Sequence, residues 1–133
     1  MPAYWKQRSK IKVLIVDDEK LMRNLIAGVI REIGIVDISF AANGIAALEY
    51  TGNKLSPFDL IICDWEMPEM DGMEFLKQLQ GIKYKTYFLM LTGKKTEANV
   101  LDALKGGVDA YIAKPFTPLQ LRDRIKALIG EKF

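Results

Sequence analysis

Four short apolar runs in this chain each end in polar residues able to do chemistry. Asp17, Asp18 and Glu19 follow one run. Asp64, then Trp65-Glu66-Met67-Pro68, follows another, Thr92 a third, and Lys114-Pro115-Phe116 a fourth. Singly, each has an ordinary explanation: Asp17 or Asp18 as a helix cap, Asp64 as a strand end, Thr92 as a turn residue, Lys114 as a solvated cation. Together they would bring three carboxylates, a hydroxyl and an ammonium to one place. Clustered carboxylates repel and stay partly protonated unless a cation offsets them. Mg2+ suits such a set, because it takes carboxylate, carbonyl and water oxygens and leaves positions for phosphate. Asp17 and Asp18 would hold the ion with Asp64 also in its shell, and the free Asp64 oxygen could attack phosphorus to give an acyl phosphate. Lys114 would neutralise one phosphoryl oxygen and Thr92 would donate to another, so the chemistry is phosphoryl transfer managed by position and charge.

Composition removes the competing chemistries. The chain has 133 residues, 50% of them hydrophobic and 27% charged, and a net charge of +2. These proportions fit one globular domain, and the charge is too balanced to imply nucleic-acid or membrane-surface binding. There is no histidine, so Ser-His and Cys-His dyads and imidazole metal sites are excluded, and any phosphohistidine must come from a partner. The one cysteine, Cys63, allows neither an internal disulfide nor a thiolate metal site. With no secretory or membrane-spanning run, a cytoplasmic location without membrane insertion is the expectation.

The elements that must carry these residues are legible in the patterning. Strand-like runs at 11–16, 36–41, 59–63, 86–91 and 108–112 alternate with amphipathic stretches. Most are near-continuously apolar, as in parallel strands covered on both faces, whereas Val36, Ile38 and Phe40 alternate with polar residues and predict an edge strand. Leu25, Ile26, Val29, Ile30 and Ile33 predict the apolar face of a first helix closed by Gly34. Asn43 is the expected cap of a second helix carrying Ile45 and Leu48, and Asp71 with Glu74 forms a capping box for a third. Val100, Leu101 and Leu104 predict the buried face of a fourth, stopped by Gly106 and Gly107. Thr117, Pro118 and Gln120 open a fifth, with Leu121, Ile125 and Leu128 at helical spacing. Five β-α units predict a doubly wound α/β domain with a five-stranded parallel sheet, whose ligands bind beyond the carboxyl ends of the strands. Residues 1–10, with Tyr4 and Trp5, read as an N-terminal extension to a domain spanning 11–133.

The segments VLIVDDEKLMR, DLIICDWEMPEMDG, LMLTG and YIAKPF, in this order and spacing, resemble the receiver domains of bacterial two-component signalling. The similarity is greatest to the stand-alone chemotaxis (CheY-like) response regulators and covers about residues 11 to 131. It implies a flavodoxin-like strand order 2-1-3-4-5 with five helices. Asp64 would be the phosphoacceptor, Asp17 and Asp18 the acidic pair, and the Glu66 carbonyl a further metal ligand. Thr92 and Lys114 would act as derived above, Lys114-Pro115 would be cis, and Tyr111 would be a switch aromatic responding to Thr92. The implied protein is a signalling switch, not a turnover enzyme. It would take phosphate from a partner histidine kinase with Mg2+ and present its fourth helix, fifth strand and fifth helix to a downstream protein. A flagellar motor switch is one possible target and a phosphatase a possible further partner. Lys94, Lys95, Lys105, Arg122 and Lys126 make that output region basic. A monomer is expected, with output through another protein because no effector follows residue 133.

Two positions depart from the chemotaxis pattern: Glu66 stands where Asn is frequent and Lys94 where an acidic residue is common. The expectation is an ion pair between them across the mouth of the site. The alternative reading is a Mg2+-dependent small-molecule phosphatase with Asp64 as nucleophile, although Glu66 replaces the Asp such enzymes use as general acid. A flavodoxin-type electron carrier lacks its phosphate loop here, and the G-x-x-x-x-G-K-[ST] pattern of P-loop NTPases is missing.

Overall fold

The structure, a computed structural model, describes residues 7–52, 55–94 and 96–133. Tyr4, Trp5 and Lys95 lie outside the described residues. A five-stranded parallel sheet is built from β1 (Lys12–Val16), β2 (Asp37–Ala41), β3 (Leu60–Asp64), β4 (Tyr87–Thr92) and β5 (Ala110–Ala113), in the order β2-β1-β3-β4-β5. The helices are α1 (Lys20–Glu32), α2 (Gly44–Thr51), α3 (Gly72–Gly81), α4 (Glu97–Lys105) and α5 (Pro118–Lys132). Strand order and helix count match the expected doubly wound architecture.

Alternation along the central strands sorts the core into two layers. Val13, Ile15, Leu60, Ile62, Leu89, Leu91 and Ile112 pack with Ile26, Ile30, Leu121 and Ile125 of α1 and α5. Leu14, Val16, Ile61, Cys63, Phe88 and Met90 pack on the opposite face with Phe75, Leu76 and Leu79 of α3 and with Ala47 and Ala103. Every residue of β3 is buried, whereas β2, at the edge of the sheet beside β1, is exposed or half-buried over its first four residues. That asymmetry is why the second run alternates and the third does not.

Helix ends follow the local chemistry. Asn43 accepts from the Ala46 amide, and both expected capping boxes, Asp71 with Glu74 and Thr117 with Gln120, are formed. Gly34 and Gly107 take φ of +101° and +102°, the left-handed conformation that ends α1 and α4 at little steric cost. The expected apolar face of α4 needs correction. Ala103 is its buried residue and Val100 is half-buried, while Leu101 and Leu104 are 46% and 51% exposed. With Ala103 turned to the sheet, the two leucines of the same helix face outward. Leu25 of α1 is likewise 38% exposed, so the inward stripe of that helix is Ile26, Ala27, Val29 and Ile30.

One glycine ties packing to the site. A Cβ on Gly72, the first residue of α3, would lie 2.5 Å from the Asp64 carbonyl oxygen and 2.9 Å from Met90 Sδ. Gly72→Ala must therefore shift the backbone of the residue singled out for chemistry, at an expected cost of about 1–3 kcal/mol by overpacking. Gly28 in α1 has nothing within 4 Å of its Cβ position, so Gly28→Ala should stabilise by about 0.4–1 kcal/mol. Urea denaturation of the two variants checks both signs.

Candidate functional site

Parallel strands carry their last residues to a common edge, and there the structure assembles the candidate residues. Asp64 and Thr92 are the terminal residues of β3 and β4, Asp17 directly follows β1, and Lys114 follows β5. The backbone sets these positions: Asp17 N–H donates to the Ala41 carbonyl at 3.1 Å, Trp65 N–H to Leu91 at 2.9 Å, and Lys114 N–H to Thr92 at 2.7 Å. The Lys114–Pro115 peptide bond is cis, as the resemblance implied.

Lys114 joins the two buried aspartates. Its ammonium lies 3.2 Å from Asp64 Oδ2 and 3.8 Å from Asp17 Oδ2. Asp17 Oδ1 accepts the Glu19 amide at 2.8 Å and its carbonyl accepts from Arg23 at 2.7 Å, but Oδ2 has no hydrogen-bond partner among the described residues. Burial raises the Asp17 pKa, partly offset by the Glu19 amide and Lys114. Asp64 is pushed up from 3.8 to about 7, by burial first and then by the Asp17 charge, against the pull of Lys114. The Lys114 pKa moves upward: burial alone would lower it, and the charges of Asp64 and Asp17 outweigh that.

The acidic donors group as Asp17, Asp18 and Glu19, whose carboxylate oxygens lie within 4.8 Å of one another. The expected set of Asp17, Asp18, Asp64 and the Glu66 carbonyl shares Asp17 and Asp18 with this cluster. Asp64 faces the cluster across the Lys114 ammonium, and Glu19 enters it as the N-cap residue of α1, next in the chain to Asp17 and Asp18. The fit to a hard divalent ion is nonetheless good. The donors are all oxygen, and the buried Asp17 Oδ2 lacks a hydrogen bond that a cation would replace.

Glu66 and Lys94 do not form the expected ion pair. Thr92, fully buried, donates its hydroxyl to Glu66 Oε1 at 2.6 Å and accepts the Lys94 amide at 2.8 Å. The Lys94 ammonium instead sits 4.9 Å from the centre of the Trp65 ring, and the Tyr111 hydroxyl donates to the Lys94 carbonyl. A neighbouring hydroxyl held by the buried strand end offers Glu66 a fixed donor, whereas the lysine is drawn to the indole face. Burial alone would raise the Glu66 pKa, but the Thr92 hydroxyl, then its own amide, Asp64 and Lys114, outweigh it and the group is lowered. The Glu66 amide also donates to Asp64 Oδ1 at 3.2 Å.

Comparison with known proteins decides the family. The pattern of the response regulator receiver domain matches residues 13–126. The chain belongs to the response regulator receiver family. Over 122 residues, 90% of this chain and 93% of the relative, it is 36% identical to a chemotaxis protein CheY homolog of Campylobacter jejuni. Among solved structures, the Francisella response regulator 1452 receiver domain is similar, with a TM-score of 0.83, 32% identity and coverage of 92% of this chain and 99% of that one. A second, the CheX-CheY-BeF3-Mg+2 complex of Borrelia burgdorferi, has a TM-score of 0.80 and 26% identity over 89% of this chain and 88% of that one. Membership in the receiver family covers nearly the whole sheet and all the residues of the acidic edge. Sequence alone does not show the Glu66–Thr92 bond, since the two residues lie 26 positions apart; its signal is the acidic side chain two residues after Asp64.

Proposed function

We propose that this receiver domain is a phosphorylation switch whose phosphoacceptor is Asp64. One observation carries the reading: a buried carboxylate at the end of the central strand β3, with a lysine ammonium at 3.2 Å and an acidic cluster on the adjacent strand end. The donor is a phosphohistidine on a partner kinase, since this chain has no histidine of its own. An Asp64 oxygen attacks phosphorus, the P–N bond breaks, its electron pair returns to the imidazole, and the product is an acyl phosphate. Lys114 neutralises one phosphoryl oxygen as charge develops and Thr92 donates to another. Mg2+ held by Asp17, Asp18 and Asp64, with the Glu66 carbonyl, would supply the positive charge that clustered carboxylates and phosphate oxygens require.

Output follows from the same contacts. Thr92 is linked through Lys94 to Tyr111, so a change at the Thr92 hydroxyl reaches the face formed by α4, β5 and α5. Leu101 and Leu104 are exposed there and suit an apolar contact with a downstream protein. The relatives' names support a chemotaxis pathway, and the Borrelia CheX-CheY complex supports a further protein partner, for which a phosphatase is the proposal; a cytoplasmic location belongs to the same proposal. The phosphatase-enzyme alternative needs Glu66 as a free proton donor. Its carboxylate accepts from Thr92 and has a lowered pKa, so it is an anion at neutral pH.

Phosphoramidate and Mg2+ should give a stable single phosphorylation by intact-mass spectrometry, removed by hydroxylamine as expected for an acyl phosphate. Continuous turnover of the donor without a labelled protein would overturn the switch reading. In the same protein, Asp18→Ala should weaken Mg2+ binding by at least about tenfold, because an oxygen donor of the shell is lost. Trp65 fluorescence reports the titration once Trp5 is replaced by Phe, the chain having two tryptophans.

A further inference from the structure

The Thr92 hydroxyl has a single proton, and Glu66 already holds it. The bond is short, 2.6 Å, and its acceptor is charged, the combination that makes hydrogen bonds strong. Glu66 touches the acceptor residue too, through its amide on Asp64 Oδ1 at 3.2 Å. One residue thus spans Asp64 and Thr92, the two groups that a phosphoryl oxygen would have to bridge. Glu66 is itself exposed, so water can receive its carboxylate if it leaves.

We propose that the Glu66 carboxylate is the resident occupant of the phosphoryl-oxygen subsite on Thr92. It holds the hydroxyl in the unphosphorylated chain and must release it before a phosphoryl group on Asp64 can be bound there. This rests on the reading of Asp64 as phosphoacceptor. Two consequences follow. Binding of the phosphoryl oxygen is opposed by the loss of an existing charge-assisted bond. The Thr92–Lys94–Tyr111 chain is also held in an engaged arrangement by an internal carboxylate before any phosphate arrives.

The test is binding of beryllofluoride with Mg2+, read by Trp65 fluorescence in the Trp5→Phe background. Removing Glu66 also removes a negative charge from an anion site, so the single variant is not enough. Glu66→Ala should bind about tenfold more tightly, the low end of what a hydrogen bond to a charged group contributes. In a Thr92→Val background the same substitution should change affinity less than about twofold, whereas Thr92→Ser should retain the gain. An equal gain with and without the hydroxyl would show simple charge removal and overturn the proposal, as would no gain at all. A second measurement needs no ligand: the Thr92 hydroxyl proton should exchange slowly by NMR in the parent protein and rapidly in Glu66→Ala. Rapid exchange in both would also overturn it. If beryllofluoride binds none of the variants and Asp64 is never phosphorylated, the phosphoacceptor reading fails and the proposal fails with it. Phosphorylation of Asp64 without the Thr92-dependent gain refutes the proposal alone.

Discussion

Asp64→Asn is expected to abolish phosphorylation and, at the same time, to make the folded protein more stable at neutral pH. The first effect is chemical: the amide has no oxygen nucleophile with a displaceable charge, so labelling by phosphoramidate should fall to background. The second comes from burial. Asp64 has its pKa raised from 3.8 to about 7 in the folded protein. Between these values the native state holds a proton that the unfolded chain has released, so stability falls as pH rises across that window. About three units at ~1.4 kcal/mol each set a ceiling of about 4 kcal/mol on this penalty. The variant escapes it but leaves Lys114 without its nearer partner, 3.2 Å away, so a net gain of about 1–2 kcal/mol is expected. Urea denaturation in the presence of chelator should show the gain at pH 8 and little difference near pH 4. A variant less stable than the parent at pH 8 would contradict this account of the site.

Lys114→Ala should lower the phosphorylation rate by about 100–1000-fold, the usual cost of removing one group that stabilises a developing oxyanion. The lysine is also the cation shared by Asp64 and Asp17, at 3.2 and 3.8 Å. Without it the two buried carboxylates face each other uncompensated, and a destabilisation of about 1–3 kcal/mol is expected at pH 8. That loss should shrink toward pH 4, where protonation of Asp64 removes one of the charges. Stopped-flow labelling and urea titration at the two pH values separate the catalytic effect from the structural one. Unchanged labelling would remove Lys114 from the mechanism.

These opposite effects on stability belong to one arrangement. The acidic edge gathers the carboxylates of Asp17, Asp18, Glu19 and Asp64, and Lys114 contacts two of them. Asp17 Oδ2 lies 3.8 Å from that ammonium and has no hydrogen-bond partner among the described residues. A site in this condition favours whatever cation or charge-neutralising event reaches it.

Much of this was readable before any coordinates. Period-two and continuous apolar runs specify edge and central strands, and residues such as Asn43, Asp71 and Thr117 specify helix starts, because these are interactions between near neighbours in the chain. The family and its acidic, hydroxyl and ammonium residues were legible for a related reason: parallel strands deliver their carboxyl ends to one edge whatever the loops do. Local pattern was less informative on α4, where the most apolar residues, Leu101 and Leu104, face outward and Ala103 packs inward. Helical periodicity gives a stripe but not its rotation against the sheet.

What the sequence determined by itself was therefore the fold, the strand ends and the set of groups that meet there. Which of those groups bond to one another was decided only by tertiary structure. Glu66 takes the Thr92 hydroxyl rather than the Lys94 ammonium, Lys94 turns to Trp65, and Glu19 joins Asp17 and Asp18 while Asp64 stands across Lys114. The physical reason is distance. Burial, side-chain reach and charge compete over a few ångströms among residues up to 97 positions apart in the chain, such as Asp17 and Lys114, and no spacing along the sequence encodes the outcome.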